Sequence, residues 1–223
     1  MKAKSTRSWQ IRICQNTECG LRYPINIGSP FGERCPACLG STKVVENISP
    51  PTEDASTTTL INPSIQGVLV DNVRSAQNVG SIIRTAEGFG IPHIYLCGIT
   101  PTPENKTLRK TALGAENNVN WTYSKDAVKK SKQLLSDGFV LWSLETSAQA
   151  KSILSVGELF RSAQTSKGLI LVVGNEEAGI DPGLLRICQE VVFIPMHGKK
   201  KSYNVSVAFG IAMGTLTTHL GYK

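Results

Sequence analysis

The stretch from Gly67 to Cys97, GVLVDNVRSAQNVGSIIRTAEGFGIPHIYLC, reads as a strand, a helix and a second strand. GVLVD is a short apolar run closed by an acid, the pattern of a strand covered on both faces. Val79, Ile82, Ile83, Ala86 and Phe89 then recur at helical spacing, with Asn78 as the expected N-cap and Gly90 as the stop. HIYLC completes the unit. On this helix Arg84 points almost opposite to the apolar face, and periodicity alone makes it a solvated cation. Asn78 is equally only a cap, and Gly80 only a small packing residue.

The same alternation continues outward through NVNWTY, a helix near Lys125 to Ser136, FVLWSL, LILVV, VVFIP and a final helix. It predicts an α/β fold with a mostly parallel sheet covered by helices. Such sheets bind ligands at the carboxyl ends of their strands, so the loops after the apolar runs are the candidates. After LILVV comes GNEEAGID, where Gly174 and Gly179 bracket a turn in which Asn175 and Glu176 can meet a ligand. It is not a phosphate-binding P-loop, because Ile180 and Asp181 stand where Lys and Ser or Thr are required. No G-x-G-x-x-G follows a strand, which argues against a Rossmann site. An ordinary strand-to-helix connection remains the alternative.

After VVFIP comes MHGKKKSYNVSVAFGIAMGTLTTHL. Lys199, Lys200 and Lys201 are either a solvated run or phosphate contacts, and Ser202 or Asn204 can cap the helix that follows. Val207, Ala208, Ile211, Ala212, Thr215 and Leu216 form its apolar stripe, and Gly210 with Gly214 permits a close approach. Core and subunit contact are both open to that stripe.

Composition sets the limits. The 223 residues hold 24 Lys and Arg against 17 Asp and Glu, a net charge of +7, with 40% apolar residues. That excludes a disordered or acidic tail and favours a polyanionic partner, nucleic acid first. The longest uninterrupted aliphatic stretch, Leu169 to Val173, is far below the roughly 20 residues of a membrane span, and the N-terminus has no apolar signal region. The expectation is no membrane and a cytoplasmic location.

Composition shifts near residue 48, giving three expected segments: a small domain over 1–47, a Pro/Ser/Thr-rich linker over 48–66, and a main domain over 67–223. The first contains Cys14, Cys19, Cys35 and Cys38, a C-x4-C pair and a CPAC pair. Two such pairs describe a zinc ribbon, in which a structural Zn2+ replaces the core that so short a segment cannot build. Unpaired thiols are the alternative. Four thiolates leave no open position for catalysis. Arg12, Arg22 and Arg34 with Trp9, Tyr23 and Phe31 can contact RNA by charge and stacking, or form a solvated basic face. Cys97 and Cys188 read as buried small hydrophobes, and the three His share no ligand spacing.

Together the three loops resemble the motifs of the SpoU/TrmH-type RNA 2'-O-ribose methyltransferases of the SPOUT superfamily. N-x-G-x-x-x-R stands as Asn78, Gly80 and Arg84. G-x-E-x-x-G stands as Gly174, Glu176 and Gly179. The third motif runs Ile194-Pro195-Met196-His197-Gly198 to Ser202-Tyr203-Asn204-Val205-Ser206, and Ala112 to Ala115 is similar to the family's Gly-Ala element. The resemblance covers about residues 67 to 221. It implies a C-terminal trefoil knot, an exception to the rule that chains do not knot. It implies S-adenosylmethionine held by Gly174, Asn175, Glu176, Gly179, Ile194, Met196, Tyr203 and Asn204, and a homodimer packed through the last helix. Tyr203 stands where the family usually has Leu.

By the same resemblance Arg84 is the key catalytic residue, with Asn78, Glu176, Ser202 and Asn204 positioning it and the substrate. A guanidinium with so high a pKa is a poor base, so its expected role is to orient the ribose hydroxyl and stabilise the developing alkoxide. The implied partner is tRNA or rRNA. Two other functions stay open: a catalytically silent ribbon-bearing RNA-binding protein, and a base methyltransferase on the same fold.

Overall fold

Three antiparallel strands, Trp9–Cys14 (β1), Arg22–Asn26 (β2) and Thr42–Ile48 (β3), lie in the order β2-β1-β3. They belong to the first of two compact units into which the chain divides between residues 58 and 59. The structure, a computed structural model, describes residues 8–29, 33–48, 65–155 and 167–219. Most of the expected linker and Phe31 lie outside the described residues.

The second unit is built on a sheet of Ile65–Asp71 (β4), His93–Cys97 (β5), Asn120–Ser124 (β6), Val140–Leu144 (β7), Lys151–Ser152 (β8), Leu169–Val173 (β9) and Glu190–Phe193 (β10). The order is β6-β5-β4-β9-β7-β10-β8, and every neighbouring pair is parallel. β4 and β9 lie centrally because helices cover both faces. Val68, Val70, Leu169 and Leu171 pack one way, with Ile82, Ile83, Phe209 and Leu216; Leu69, Ile170 and Val172 pack the other, with Leu134 and Leu184.

The helices are Ala76–Gly88 (α1), Lys106–Ala112 (α2), Ala127–Ser136 (α3), the single turn Pro182–Leu185 (α4) and Val205–His219 (α5). α1 buries Val79, Gly80, Ile82, Ile83 and Ala86, and Phe89 packs partly buried against the same core. Its cap differs from the expectation: Ser75, not Asn78, is the N-cap, its hydroxyl accepting from the Asn78 N–H at 3.2 Å. Both residues are good caps, and three positions separate them, so taking Ser75 leaves the Asn78 side chain free for other partners.

α5 also departs from the expected stripe. Its buried face is Phe209, Ala212, Met213, Leu216 and Thr217, while Val207 is 50% exposed and Gly210, Ile211 and Gly214 are half-buried. The helix is apolar or small almost all round, so periodicity had no polar face to orient it. Among the described residues no helix is long and apolar enough to cross a membrane.

Candidate functional site

The loops after β4, β9 and β10 converge at the carboxyl end of the sheet through one chain of hydrogen bonds. Asn204 ends the third loop as the cap of α5, its Oδ1 accepting from the N–H and hydroxyl of Ser206 at 2.9 and 2.7 Å. Its Nδ2 donates to Asn78 Oδ1 at 3.0 Å, and Asn78 Nδ2 donates to Glu176 Oε1 at 2.9 Å. Glu176 also accepts the N–H groups of Arg74 and Ser75 at 3.0 and 3.1 Å, so its carboxylate stands at the positive end of α1. Partial burial pushes that carboxyl up, but the Arg74, Asn78 and Ser75 donors outweigh it and hold it below its ordinary value.

The 174–181 turn is shaped by its two glycines. Asn175 and Gly179 exchange backbone hydrogen bonds at 2.9 and 3.0 Å, folding the turn back on itself. A Cβ on Gly174 would lie 2.5 Å from the Gly179 carbonyl carbon and the Ile180 nitrogen, and Gly179 has φ +73° with Glu145 against it. Asn175 Nδ2 donates to the Asn72 carbonyl at 2.7 Å, which ties the turn to the end of β4. Beneath it the buried Asp71 accepts from the Asp181 N–H at 2.9 Å and from Asn72 Nδ2 at 2.7 Å. Desolvation still raises its pKa.

The loops after β7, β9 and β10 line a cavity of about 430 Å³. Gly174, Asn175, Glu176, Gly179, Ile194, Met196, Ser202, Tyr203 and Asn204 all line it. Asn78 touches it through Glu176 and Asn204. Arg84 does not line it: the side chain is exposed on α1, six residues and about 9 Å along the axis beyond Asn78.

The sequence reading missed Glu145, Thr146 and Glu177, which line the same cavity. Glu145 follows β7 and accepts from the N–H groups of Ile180 and Thr146 at 3.1 and 2.8 Å, bracing the turn from the opposite side. The strand-end rule applied to FVLWSL would have found it.

In the first unit, Cys14, Cys19, Cys35 and Cys38 place their sulfurs within 4.8 Å of one another. Cys14 and Cys38 lie 3.4 Å apart and Cys19 and Cys35 3.7 Å. Backbone N–H groups of Cys38 and then Ala37 outweigh burial and draw the Cys35 thiol down to about 7, while burial pushes Cys14 up to about 12. Of the expected RNA contacts, Arg12 is turned inward onto the Thr42 hydroxyl and carbonyl, and Arg22 pairs with Glu46 at 3.2 Å. The Tyr23 hydroxyl donates to the Arg34 carbonyl, Trp9 is 41% exposed, and Arg34 is exposed.

Similarity to known proteins concentrates on the second unit. The model of the SpoU rRNA Methylase family matches residues 66–214. A tRNA (guanosine(18)-2'-O)-methyltransferase of Aquifex aeolicus (strain VF5) is 28% identical over 149 residues, covering 66% of this chain. The chain spans 65% of that relative's length. The crystal structure of the A. aeolicus TrmH/SpoU tRNA modifying enzyme matches with a TM-score of 0.61 at 26% identity, over 72% of this chain and 78% of that one. The AdoMet-bound rRNA methyltransferase of Sinorhizobium meliloti shares the fold with a TM-score of 0.61 at 24% identity, over 82% of this chain and 65% of that one.

Proposed function

With residues 66–214 matched, the chain belongs to the SpoU rRNA methylase family, and from that premise we propose that it transfers a methyl group from S-adenosylmethionine to a ribose 2'-hydroxyl of tRNA or rRNA. The observation that carries the reading is the Asn204–Asn78–Glu176 chain, which ties three separate loops together at the rim of one cavity.

The cavity suits that cofactor chemically. Among the described residues its lining includes the acids Glu145, Glu176 and Glu177 and no Lys, Arg or His, while Val173, Phe193, Ile194 and Met196 supply an apolar side. An amphipathic cation with an apolar ring system meets both. Gly174, Asn175, Gly179, Ile194, Met196, Tyr203 and Asn204 would hold it. When bound, it supplies an electrophilic sulfonium methyl.

The protein's own contribution is position and charge. The amides of Asn78 and Asn204 are fixed by each other, by Glu176 and by Ser206, so a hydroxyl held there meets a site that needs no reorganisation. Glu176 remains ionised at neutral pH and favours a cation nearby, and Ser202 lies at the rim to meet substrate. Arg84 orients the 2'-hydroxyl and stabilises its developing negative charge. Because Arg84 lies outside its own chain's cavity, it acts from a second copy, in a homodimer that covers the Val207, Gly210, Ile211 and Gly214 side of α5.

Cys14, Cys19, Cys35 and Cys38 would hold a structural Zn2+ in the ribbon. A tetrahedron of thiolates with Zn–S near 2.3 Å would set sulfurs about 3.8 Å apart, close to the Cys19–Cys35 separation and somewhat wider than Cys14–Cys38. Its role is substrate capture, through Trp9 and Arg34 among the described residues.

Labelled methyl transfer from S-adenosylmethionine into RNA lacking the modification, followed by nucleoside mass analysis, tests the activity. A 2'-O-methyl nucleoside is expected. A base-methylated nucleoside, or no label from a preparation that binds both cofactor and RNA, overturns it. Arg84→Ala should lower turnover about 10²–10³-fold with cofactor affinity intact. Mixed with Asn204→Ala, it should regain activity if the arginine is donated by the second copy.

A further inference from the structure

α2 spans seven residues and carries Lys106, Arg109 and Lys110 with no acid. At helical spacing these three and Leu113, which is 65% exposed, share one side, opposite the buried Leu108 and Ala112. Arg109 and Lys110 lie in the last turn, where the helix dipole favours cations, but Lys106 lies in the first turn, where it does not. The pairs at i,i+3 and i,i+4 also repel one another.

Among the described residues no ion pair involves α2. The acids flanking the helix are turned elsewhere, Glu104 to the hydroxyl of Thr102 and Glu116 to the N–H of Gly114 at 2.9 Å.

α2 is also fixed rigidly to the helix that starts at the cavity rim. A Cβ on Gly80 would lie 2.6 Å from the Leu108 carbonyl oxygen and 2.8 Å from Thr111 Cβ, so α1 and α2 meet backbone to backbone. α1 begins with Asn78 at the cavity rim and presents Arg84 one turn beyond Gly80, on the flank it shares with α2.

The geometry points to the outer crest of α2 as a rail for the RNA backbone, with Lys106, Arg109 and Lys110 on successive phosphates of the strand that brings the target ribose to the cavity. A polyanion supplies the charge that the protein leaves uncompensated there. Lys106 and Lys110 are one turn apart, about 6 Å along the axis, and long flexible side chains at that spacing can follow a bending single strand. This inference rests on RNA being the substrate.

The test compares the wild type, K106Q/R109Q/K110Q and a matched control, K125Q/K129Q/K132Q, whose exposed lysines lie on and before α3, against the other face of the sheet. The RNA is bulk tRNA and ribosomal RNA lacking the modification, titrated over a salt series. The α2 variant should bind at least about tenfold more weakly than the control, and its log Kd against log salt should flatten by about 2, near 0.7 for each lost single-strand phosphate contact. Its melting temperature, cofactor affinity and turnover at saturating RNA should match the wild type. If the α2 variant and control bind alike while the wild type binds and methylates RNA, the rail is overturned and the function stands. A wild type that neither binds nor methylates RNA overturns both.

Discussion

Between residues 8 and 48 the described residues that are buried are Cys14, Cys35 and Thr42, whereas in the second unit β4 and β9 are buried at nearly every position. Two of those three buried residues are metal-type ligands. The ribbon has almost no apolar interior, so its turns converge on sulfur; the sheet converges on Val, Ile and Leu. A fully buried Leu or Ile is worth about 1.5–3 kcal/mol, and the second unit has many while the first has none among the described residues. One unit should therefore depend on an ion and the other on burial. The candidate site reflects the second arrangement, because the loops that carry Asn78, Glu176 and Asn204 leave strands fixed by packing.

Removing the metal should break the two units apart most sharply. A structural zinc contributes on the order of 10–16 kcal/mol of binding free energy that is also folding free energy. Chelation, or Cys35→Ser, should collapse the amide dispersion of residues 8–48 in an NMR spectrum and leave cofactor affinity within about twofold. A ribbon that stays ordered without metal would end the contrast. Leu171→Ala is the counterpart in the sheet. It empties a fully buried position and should cost about 2–5 kcal/mol in urea unfolding, with zinc content unchanged.

The same contrast governs what could be read in advance. LILVV and GVLVD were legible because a strand covered on both faces needs no alternation, and the covered faces are real. α5 was not, because a helix apolar nearly all round gives no direction, and the core took Phe209 and Met213. Asn78 was singled out through its resemblance to a family motif, and the structure bonds it to Glu176 and Asn204, yet as a cap it competed with Ser75 three positions earlier. Glu145 stood at the end of an apolar run, open to the strand-end rule, but its bond to the Ile180 N–H was not legible, because that depends on β7 lying beside β9, a neighbour later in the chain. Arg12 looked available to RNA, but its guanidinium is spent on Thr42 within the ribbon.

Two glycines sharpen the comparison at a finer scale. Gly174→Ala would press a Cβ into backbone at 2.5 Å, with no side chain able to move aside. It should cost about 1–3 kcal/mol and weaken cofactor binding in a calorimetric titration. In the ribbon, Gly40→Ala would meet Cys38 Sγ at 3.2 Å and Cys14 Sγ at 3.5 Å, contacts a small shift can relieve. Its thermal melt should move less than that of Gly174→Ala, and an equal or larger shift would mean that the sulfur cluster is as closely packed as the turn.

The smallest effect is the pH dependence that Glu176 and Asp71 give the sheet unit. Burial raises the Glu176 carboxyl, but the donors from Arg74, Asn78 and Ser75 leave it below its ordinary value. A carboxyl depressed in the folded state stabilises fully above its unfolded pKa, and that contribution is lost as pH falls through the folded value. Asp71 has the opposite sign: desolvation leaves its pKa raised, so its charged form costs stability at neutral pH and the cost is relieved as pH falls through the raised value. Thermal melts of the wild type and Glu176→Gln from about pH 7 to about pH 3 separate the two. The curves should stand apart at the neutral end and converge in acid, since the charge on Glu176 is what differs between the two proteins. Curves that stay parallel throughout would mean that the charge on Glu176 does not hold the start of α1 to the 174–181 turn. The three loops would then be joined by the Asn204–Asn78 bond, the Asn175 amide on the Asn72 carbonyl, the Asp181–Asp71 bond and the Arg74–Glu177 ion pair.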